Sequence, residues 1–368
     1  MSQGNRQRRL AVVTSVLALF AALLIAEIAV RIIVPHTDLF VVTGRTAGPN
    51  PMAEWAQVDA FSAYRARPGE YASSGKTVNR HGFISTPDID TDKPAGTLRI
   101  AFLGGSSTAG SGHDLADEAT WPWLATELLR ERSSGDVDFI NGALGGYSTF
   151  ESYGRLWSRL RFFQPDIVVV YHGWNEMYYL SSTRDMSAWK TLPDGSWGFH
   201  TGPKMVVYAP HWSDHVFRYS QLLTKFRVDL SARQHGELGL NSDNRKALDT
   251  DRFDVFRTNL RLMREAATIM GAELFVAKQA TLIVADNPDV CLFACRYEFH
   301  GFGHEDHVEA YDRIYAIIDE EIDAAHVIDV TGISGDPEMF VDHVHPTEAG
   351  ARKIAAIVAD AIDRNSQR

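Results

Sequence analysis

Residues 98–108, LRIAFLGGSST, decide the architecture. Apart from Arg99, the first six lack the alternation of apolar and polar residues that marks a strand with one face in water. A run of this kind suits a parallel strand covered on both faces. Two glycines then permit a tight turn that exposes the Ser106 hydroxyl at the strand's carboxyl end. A G-x-x-x-x-G-K-[ST] pattern is absent from the sequence, which excludes a P-loop. Taken alone, GGSS is also what an ordinary turn contains.

The same pattern continues along the chain. Short apolar runs at 137–140, 167–171 (IVVVY), 273–277 and 326–330 (HVIDV) read as further strands. Helical spacing lies between them, with Leu124, Ala125 and Leu128 on one stripe and Leu156, Leu160 and Phe163 on another. A last helix is expected from Pro346, with Ile354, Val358 and Ile362 four residues apart. Strands alternating with helices predict a three-layer α/β/α sandwich around a parallel, flavodoxin-like sheet, spanning 96–368. Residues 180–250 interrupt the alternation and are expected to lie over the carboxyl ends of the strands, where such sheets bind ligands. Residues 35–95, rich in Gly, Pro, Ser and Thr, read as a linker with irregular lead-in structure.

Four polar or Gly-rich clusters fall at strand ends or before the last helix. They are Gly104-Gly105-Ser106, Asn141-Gly142-Ala143-Leu144-Gly145-Gly146-Tyr147, Gly173-Trp174-Asn175-Glu176 and Asp342-His343-Val344-His345. Singly, each is an ordinary turn or cap. Their common placement lets one site draw on all four. An Asp three residues before a His can hold one ring nitrogen and leave the other as a base.

In the order and content of these clusters the chain resembles the SGNH (GDSL-type) hydrolases, and the resemblance covers residues 98–364. It implies a serine esterase in which Ser106 is the nucleophile, His345 the general base and Asp342 its partner. The Ser106 and Gly146 backbone N–H groups and the Asn175 amide would receive the charge of the tetrahedral intermediate. Two positions depart from the family pattern. Gly105 stands where an Asp usually precedes the nucleophile, and Glu176 where an Asp usually follows the Asn. The segment Val78-Asn79-Arg80-His81-Gly82-Phe83 also resembles the lead-in of membrane-anchored bacterial members.

The amino terminus supports an anchor. Arg6, Arg8 and Arg9 lie in a tail at 1–9, and an apolar stretch follows at 10–34, interrupted only by Glu27 and Arg31. About 25 residues suffice to cross a bilayer of roughly 30 Å. The run is longer than the 7–15 apolar residues usual in a signal peptide, so an uncleaved transmembrane helix is the expectation. The arginines place the amino terminus in the cytoplasm and the body in the periplasm or outside the cell.

Net charge is −11; four Arg against one Glu in the first 34 residues leave −14 for the remainder. So acidic a body does not suit a nucleic-acid ligand. With two cysteines, Cys291 and Cys295, neither a Cys-rich zinc site nor a disulfide framework is available; that pair can join in an oxidising compartment or equally serve as small buried apolar residues. His300, His304 and His307, with Glu305 and Asp306 between them, have spacings compatible with a metal, but no fourth ligand is evident and they read as a solvated loop. His343 is read as a supporting or solvated neighbour of the triad. Tyr171, Trp174, Tyr178, Tyr179, Trp189, Trp197, Tyr208 and Trp212 can stack on sugar rings, line an acyl channel or form a small core of their own. The expectation is a membrane-anchored esterase without cofactor or metal, acting on an O-acyl ester of an envelope carbohydrate or lipid by hydrolysis or transfer. A non-catalytic glycan- or protein-binding protein of the same fold is the alternative.

Overall fold

The computed structural model describes residues 3–34, 56–71, 76–110, 115–177, 200–201, 205–206, 214–217, 219–226, 248, 252–286, 295, 300 and 302–366. Helix α1 (Gln3–Ile33) comes first, and its stretch Gln7–Ile33 is long and apolar enough to cross a membrane. Two small antiparallel hairpins follow, β1 (Ala56–Asp59) with β2 (Ala63–Ala66) and β3 (Gly69–Tyr71) with β4 (Lys76–Val78).

The body is built on five strands, β5 (Leu98–Gly104), β6 (Val137–Asn141), β7 (Ile167–His172), β8 (Glu273–Lys278) and β9 (Val327–Asp329). All neighbours pair in parallel, in the spatial order β6-β5-β7-β8-β9. Consecutive residues Ile100, Ala101, Phe102 and Leu103 are each fully buried, as are Val168, Val169, Val170 and Tyr171. Burial of every residue rather than every second one requires cover on both faces, which the helices supply. Helix α2 is the short turn Ser106–Ala109. On one side α3 (Trp121–Arg132) packs against α7 (Glu348–Ser366); α4 (Thr149–Ser158), α5 (Phe253–Met270) and α6 (His304–Glu321) pack in series. The result is the three-layer α/β/α sandwich.

Strand order reverses beside β5, whose two neighbours β6 and β7 come next in the chain. The loops leaving β5 and β7 therefore border the crevice where sheets of this order bind ligands. Ser106 and Asn175 stand on those two loops.

Several local readings are corrected. The last helix begins at Glu348, because Pro346 is taken by a bridge to Phe340 and Thr347 N–H donates to Met339 O at 2.9 Å. In α3 the buried stripe is Trp121, Ala125 and Leu129, while Leu124 and Leu128 are only partly covered. The final strand is confined to Val327–Asp329, since a 3-10 turn occupies Ala324–His326. Within 35–95, residues 56–71 and 76–86 are not irregular. Ala56, Tyr64, Ala66, Val78 and Ile84 form a second apolar cluster with Ala109, Ala143, Leu144 and Tyr147, so the lead-in packs beneath two of the polar clusters. Arg155 of α4 fastens it. The guanidinium is fully buried, donates to Gly82 O at 2.6 Å and Tyr147 Oη at 3.2 Å, and stacks over Phe83 at 5.0 Å.

Candidate active site

Strand β5 ends at Gly104, and Ser106 opens α2 with Gly105 as its N-cap. The side chain lies at the sheet's carboxyl end, partly exposed. From the far end of the chain, the loop before α7 brings His345 to it. Ser106 Oγ lies 2.7 Å from His345 Nε2, and His345 Nδ1 lies 2.7 Å from Asp342 Oδ2. The other carboxylate oxygen, Asp342 Oδ1, accepts the backbone N–H groups of Val344 at 3.0 Å and His345 at 2.9 Å. Burial works to raise the Asp342 pKa, but the hydrogen bond and charge of His345 and these backbone donors hold it well below the usual carboxylate range. An ionised Asp342 accepts the Nδ1 proton, which leaves Nε2 as an acceptor for the Ser106 hydroxyl. The arrangement can move a proton from Ser106 to His345.

Gly146 has φ +84, a left-handed conformation that strains any residue with a Cβ, and a Cβ there would come within 2.9 Å of Tyr64 Oη. Asn175 sits in the turn after β7, and one of its amide hydrogens goes to Tyr147 O at 2.7 Å. An amide carries two N–H donors, so a second remains. Gly105 has a specific steric role. A Cβ added there would lie 2.5 Å from Asn175 Nδ2 and 3.1 Å from Tyr147 O, so the Asn175 side chain occupies the space that the usual Asp would need.

The sequence model of the GDSL-like lipase/acylhydrolase family matches residues 102–353, more than half of the 368-residue chain. The chain belongs to that family. It is accordingly an ester-hydrolysing enzyme. Solved structures similar to it include TesA (15% identity, 73% of this chain and 99% of that one, TM-score 0.40). Others are a GDSL-like lipase from Bacteroides thetaiotaomicron (13%, 73% and 88%, 0.38) and Axe2, an acetylxylan esterase from Geobacillus stearothermophilus (12%, 72% and 94%, 0.42). No curated protein matches the chain significantly.

In this GDSL-like chain, residues without a sequence motif tie three of the four clusters together. Gln279, just beyond β8, is buried; its Oε1 accepts Trp174 N–H at 2.6 Å, and its Nε2 reaches Ser107 Oγ at 3.4 Å. Ser107 in turn donates to Val344 O at 3.1 Å. Thr281 Oγ1 and Leu282 N–H both donate to His343 O, at 2.8 and 2.9 Å. The β8 loop thus touches the loops carrying Ser106, Asn175 and His345. A lone Gln after an apolar strand carries no motif that would single it out.

Three histidines are not solvated. His300, His307 and His343 are buried around the Trp174 ring, with centroid distances of 4.3, 5.3 and 3.8 Å. His307 Nδ1–H donates to Gly303 O at 2.7 Å, which leaves its Nε2 to accept His300 Nδ1–H at 3.0 Å. Burial lowers the His307 pKa to about 4, so His307 is neutral near pH 7. His304 points instead to Val284 O at 3.0 Å. Among the described residues no group of three or more His, Cys, Asp or Glu could hold a metal. Trp174 wedges the Asn175 turn against the Asp342–His345 loop.

Glu176, the second departure, is fully buried. Burial raises its pKa to about 8 despite hydrogen bonds from Thr149 N–H at 2.6 Å and Thr149 Oγ1 at 2.8 Å. These contacts join the Asn175 turn to the first residue of α4, just after the Gly146 segment. His172 is buried nearby, 2.8 Å from Ser152 Oγ, and its pKa is lowered to about 3 by desolvation. Tyr171 and Trp174 belong to the body's core, whereas Tyr178, Tyr179, Trp189, Trp197, Tyr208, Trp212 and Cys291 lie outside the described residues. Cys295 packs against that core.

Proposed function

We propose that the chain is a membrane-anchored serine esterase that cleaves, or transfers the acyl group of, an O-acyl ester on an envelope carbohydrate or lipid. Ser106 forms the acyl-enzyme. The observation that carries the reading is the unbroken relay Ser106 Oγ to His345 Nε2 and His345 Nδ1 to Asp342 Oδ2, each step 2.7 Å. A serine hydroxyl is a poor nucleophile without an adjacent base. His345 takes its proton as the oxygen attacks the ester carbonyl and returns it to the departing alcohol. Asp342 keeps the ring in the productive tautomer and stabilises the imidazolium. Negative charge collects on the former carbonyl oxygen, where the Ser106 and Gly146 N–H groups and the second Asn175 amide hydrogen receive it. Water, or the hydroxyl of a second sugar or lipid, then releases the acyl group by the same steps in reverse.

The apolar run of α1 and the arginines before it support an uncleaved anchor with the body on the outer face of the membrane. A fluorophosphonate probe applied to the full-length protein is expected to label Ser106 alone. Labelling of Ser107, or labelling that survives Ser106→Ala, would overturn the assignment. Turnover of acetylated sugars against lysophospholipids, with and without an added acceptor alcohol, separates the substrate classes and hydrolysis from transfer.

A further inference from the structure

Glu27 is the one acidic residue in the apolar run of α1, and it does not face lipid alone. Its Oε1 accepts Arg31 Nε–H at 2.6 Å and Gln221 N–H at 2.9 Å; its Oε2 accepts Ser220 Oγ–H at 2.7 Å and Leu222 N–H at 3.0 Å. Arg31 Nη2 donates to Tyr219 O at 2.9 Å. The first turn of a short helix at 221–226 is thereby clamped to α1, and a preceding turn of helix, Asp214–Phe217, completes the segment.

The segment has two unlike faces. Gln221 and Thr224 are buried, while Val216, Tyr219, Leu223 and Phe226 point outward with 58%, 72%, 38% and 63% of their surface exposed. These four apolar side chains lie next to a helix whose own large apolar residues, from Leu10 to Ile33, are exposed as well, apart from the partly covered Val30.

Helix geometry fixes the level at which they lie. A hydrocarbon layer of roughly 30 Å takes about 20 residues at ~1.5 Å each. Counted from Leu10, directly after Arg9, the layer ends near Ala29. Glu27 and Arg31 bracket that residue, so the backbone they hold, 219–222, is placed at the outer boundary between hydrocarbon and headgroups. An aromatic residue with a polar tip, such as Tyr219, favours that zone. A bare carboxylate there is costly, and the segment's donors remove the cost.

We infer that residues 214–217 and 219–226 form a membrane-interface element, fastened to the anchor through Glu27 and Arg31, with Val216, Tyr219, Leu223 and Phe226 seated in the lipid surface. The inference rests on the reading of α1 as a membrane anchor. Its effect is to hold part of the 180–250 interruption on the bilayer instead of leaving the body tethered by α1 alone.

The test uses the full-length chain carrying Cys291→Ser and Cys295→Ser, in vesicles of phosphatidylcholine and phosphatidylglycerol. An environment-sensitive fluorophore is placed on a single cysteine at Tyr219, Phe226, Leu17 or the exposed body residue Ile269. The expected result is blue-shifted emission at 219 and 226 with quenching by a nitroxide near the headgroup, deep quenching at 17 and none at 269. Glu27→Ala should return the 219 label to an aqueous spectrum and leave 17 unchanged. Aqueous spectra at 219 and 226 with a lipid spectrum at 17 would overturn the inference and leave the anchor standing. Shielding at 219 that depends on protein concentration and not on lipid would assign the face to a second copy of the chain, again against the inference. An aqueous spectrum at 17 would instead show that the anchor reading itself had failed. A 219 label that stays in lipid in Glu27→Ala would refute the clamp.

Discussion

Replacing Asp342 by Asn tests the relay at the end farthest from the serine. The carboxylate makes three hydrogen bonds, two from the Val344 and His345 backbone N–H groups to Oδ1 and one from His345 Nδ1 to Oδ2. Asparagine offers a single oxygen. The two backbone donors, at 3.0 and 2.9 Å, belong to the loop that positions His345 and will claim it. The new amide N–H must then face Nδ1, which can accept it only by giving up its own proton. The ring shifts to the tautomer protonated at Nε2, 2.7 Å from Ser106 Oγ, and can no longer take the serine proton. The loss expected for a wrong-tautomer histidine is about 10⁴-fold in kcat, or ~5.5 kcal/mol on the barrier, with KM little changed. His345→Ala, which removes the base altogether, should lose at least as much. Steady-state kinetics on p-nitrophenyl acetate measure both, and nitrogen NMR of the labelled ring reports the tautomer directly. A loss below ten-fold in Asp342→Asn, or a ring that keeps its proton on Nδ1, would refute the reasoning.

Other perturbations act on separate parts of the site. On the proposed mechanism Asn175→Ala removes a donor to the transition state, and kcat should fall by about 10²–10³ with KM nearly constant; an equal rise in KM would mean that Asn175 binds the ground state. Gly105→Ala puts a Cβ 2.5 Å from Asn175 Nδ2, so its kinetics should approach those of Asn175→Ala while circular dichroism shows an intact fold; wild-type kcat would show that the Asn175 amide is not needed where it lies. Glu176 has a folded pKa of about 8 against an ordinary 4.5, raised by burial. Its contribution to stability is complete below pH ~4.5 and is lost as pH climbs through ~8, where the buried group ionises. Thermal melts should therefore show Glu176→Gln flattening the decline over that window; an unchanged pH slope would assign the decline to other groups.

Much of the body was legible because its signals are local. LRIAFL and IVVVY each declare a strand buried on both faces, and each functional cluster is a contiguous handful of residues next to such a strand. The lead-in was not legible for the converse reason. Its apolar residues, Ala56, Tyr64, Ala66, Val78 and Ile84, are scattered among Gly, Ser and Pro, and their partners Ala143, Leu144 and Tyr147 lie far along the chain. The buried histidines misled for a related cause. His300 Nδ1 and His307 Nε2 meet in a hydrogen bond against the Trp174 ring, a pairing that a count of polar residues in a loop cannot reveal. Gln279 carries no pattern at all, only a position between three loops.

Ser106 and His345 are separated by 239 residues, yet they meet at 2.7 Å. Ser106, the proposed nucleophile, leaves the first strand of the sheet, and His345, its proposed base, stands in the last loop, immediately ahead of the helix that closes over α3. A chain folded only as far as β8 can lay down β5, β6 and β7, expose Ser106 and still hold no base. In the proposed mechanism competence is thus a property of the finished domain, since it requires the carboxyl-terminal loop to dock against Ser107 and the β8 turn. On that mechanism the cleft would not act on esters while the fold is half made, and any lesion that undocks α7 should silence it without touching the serine.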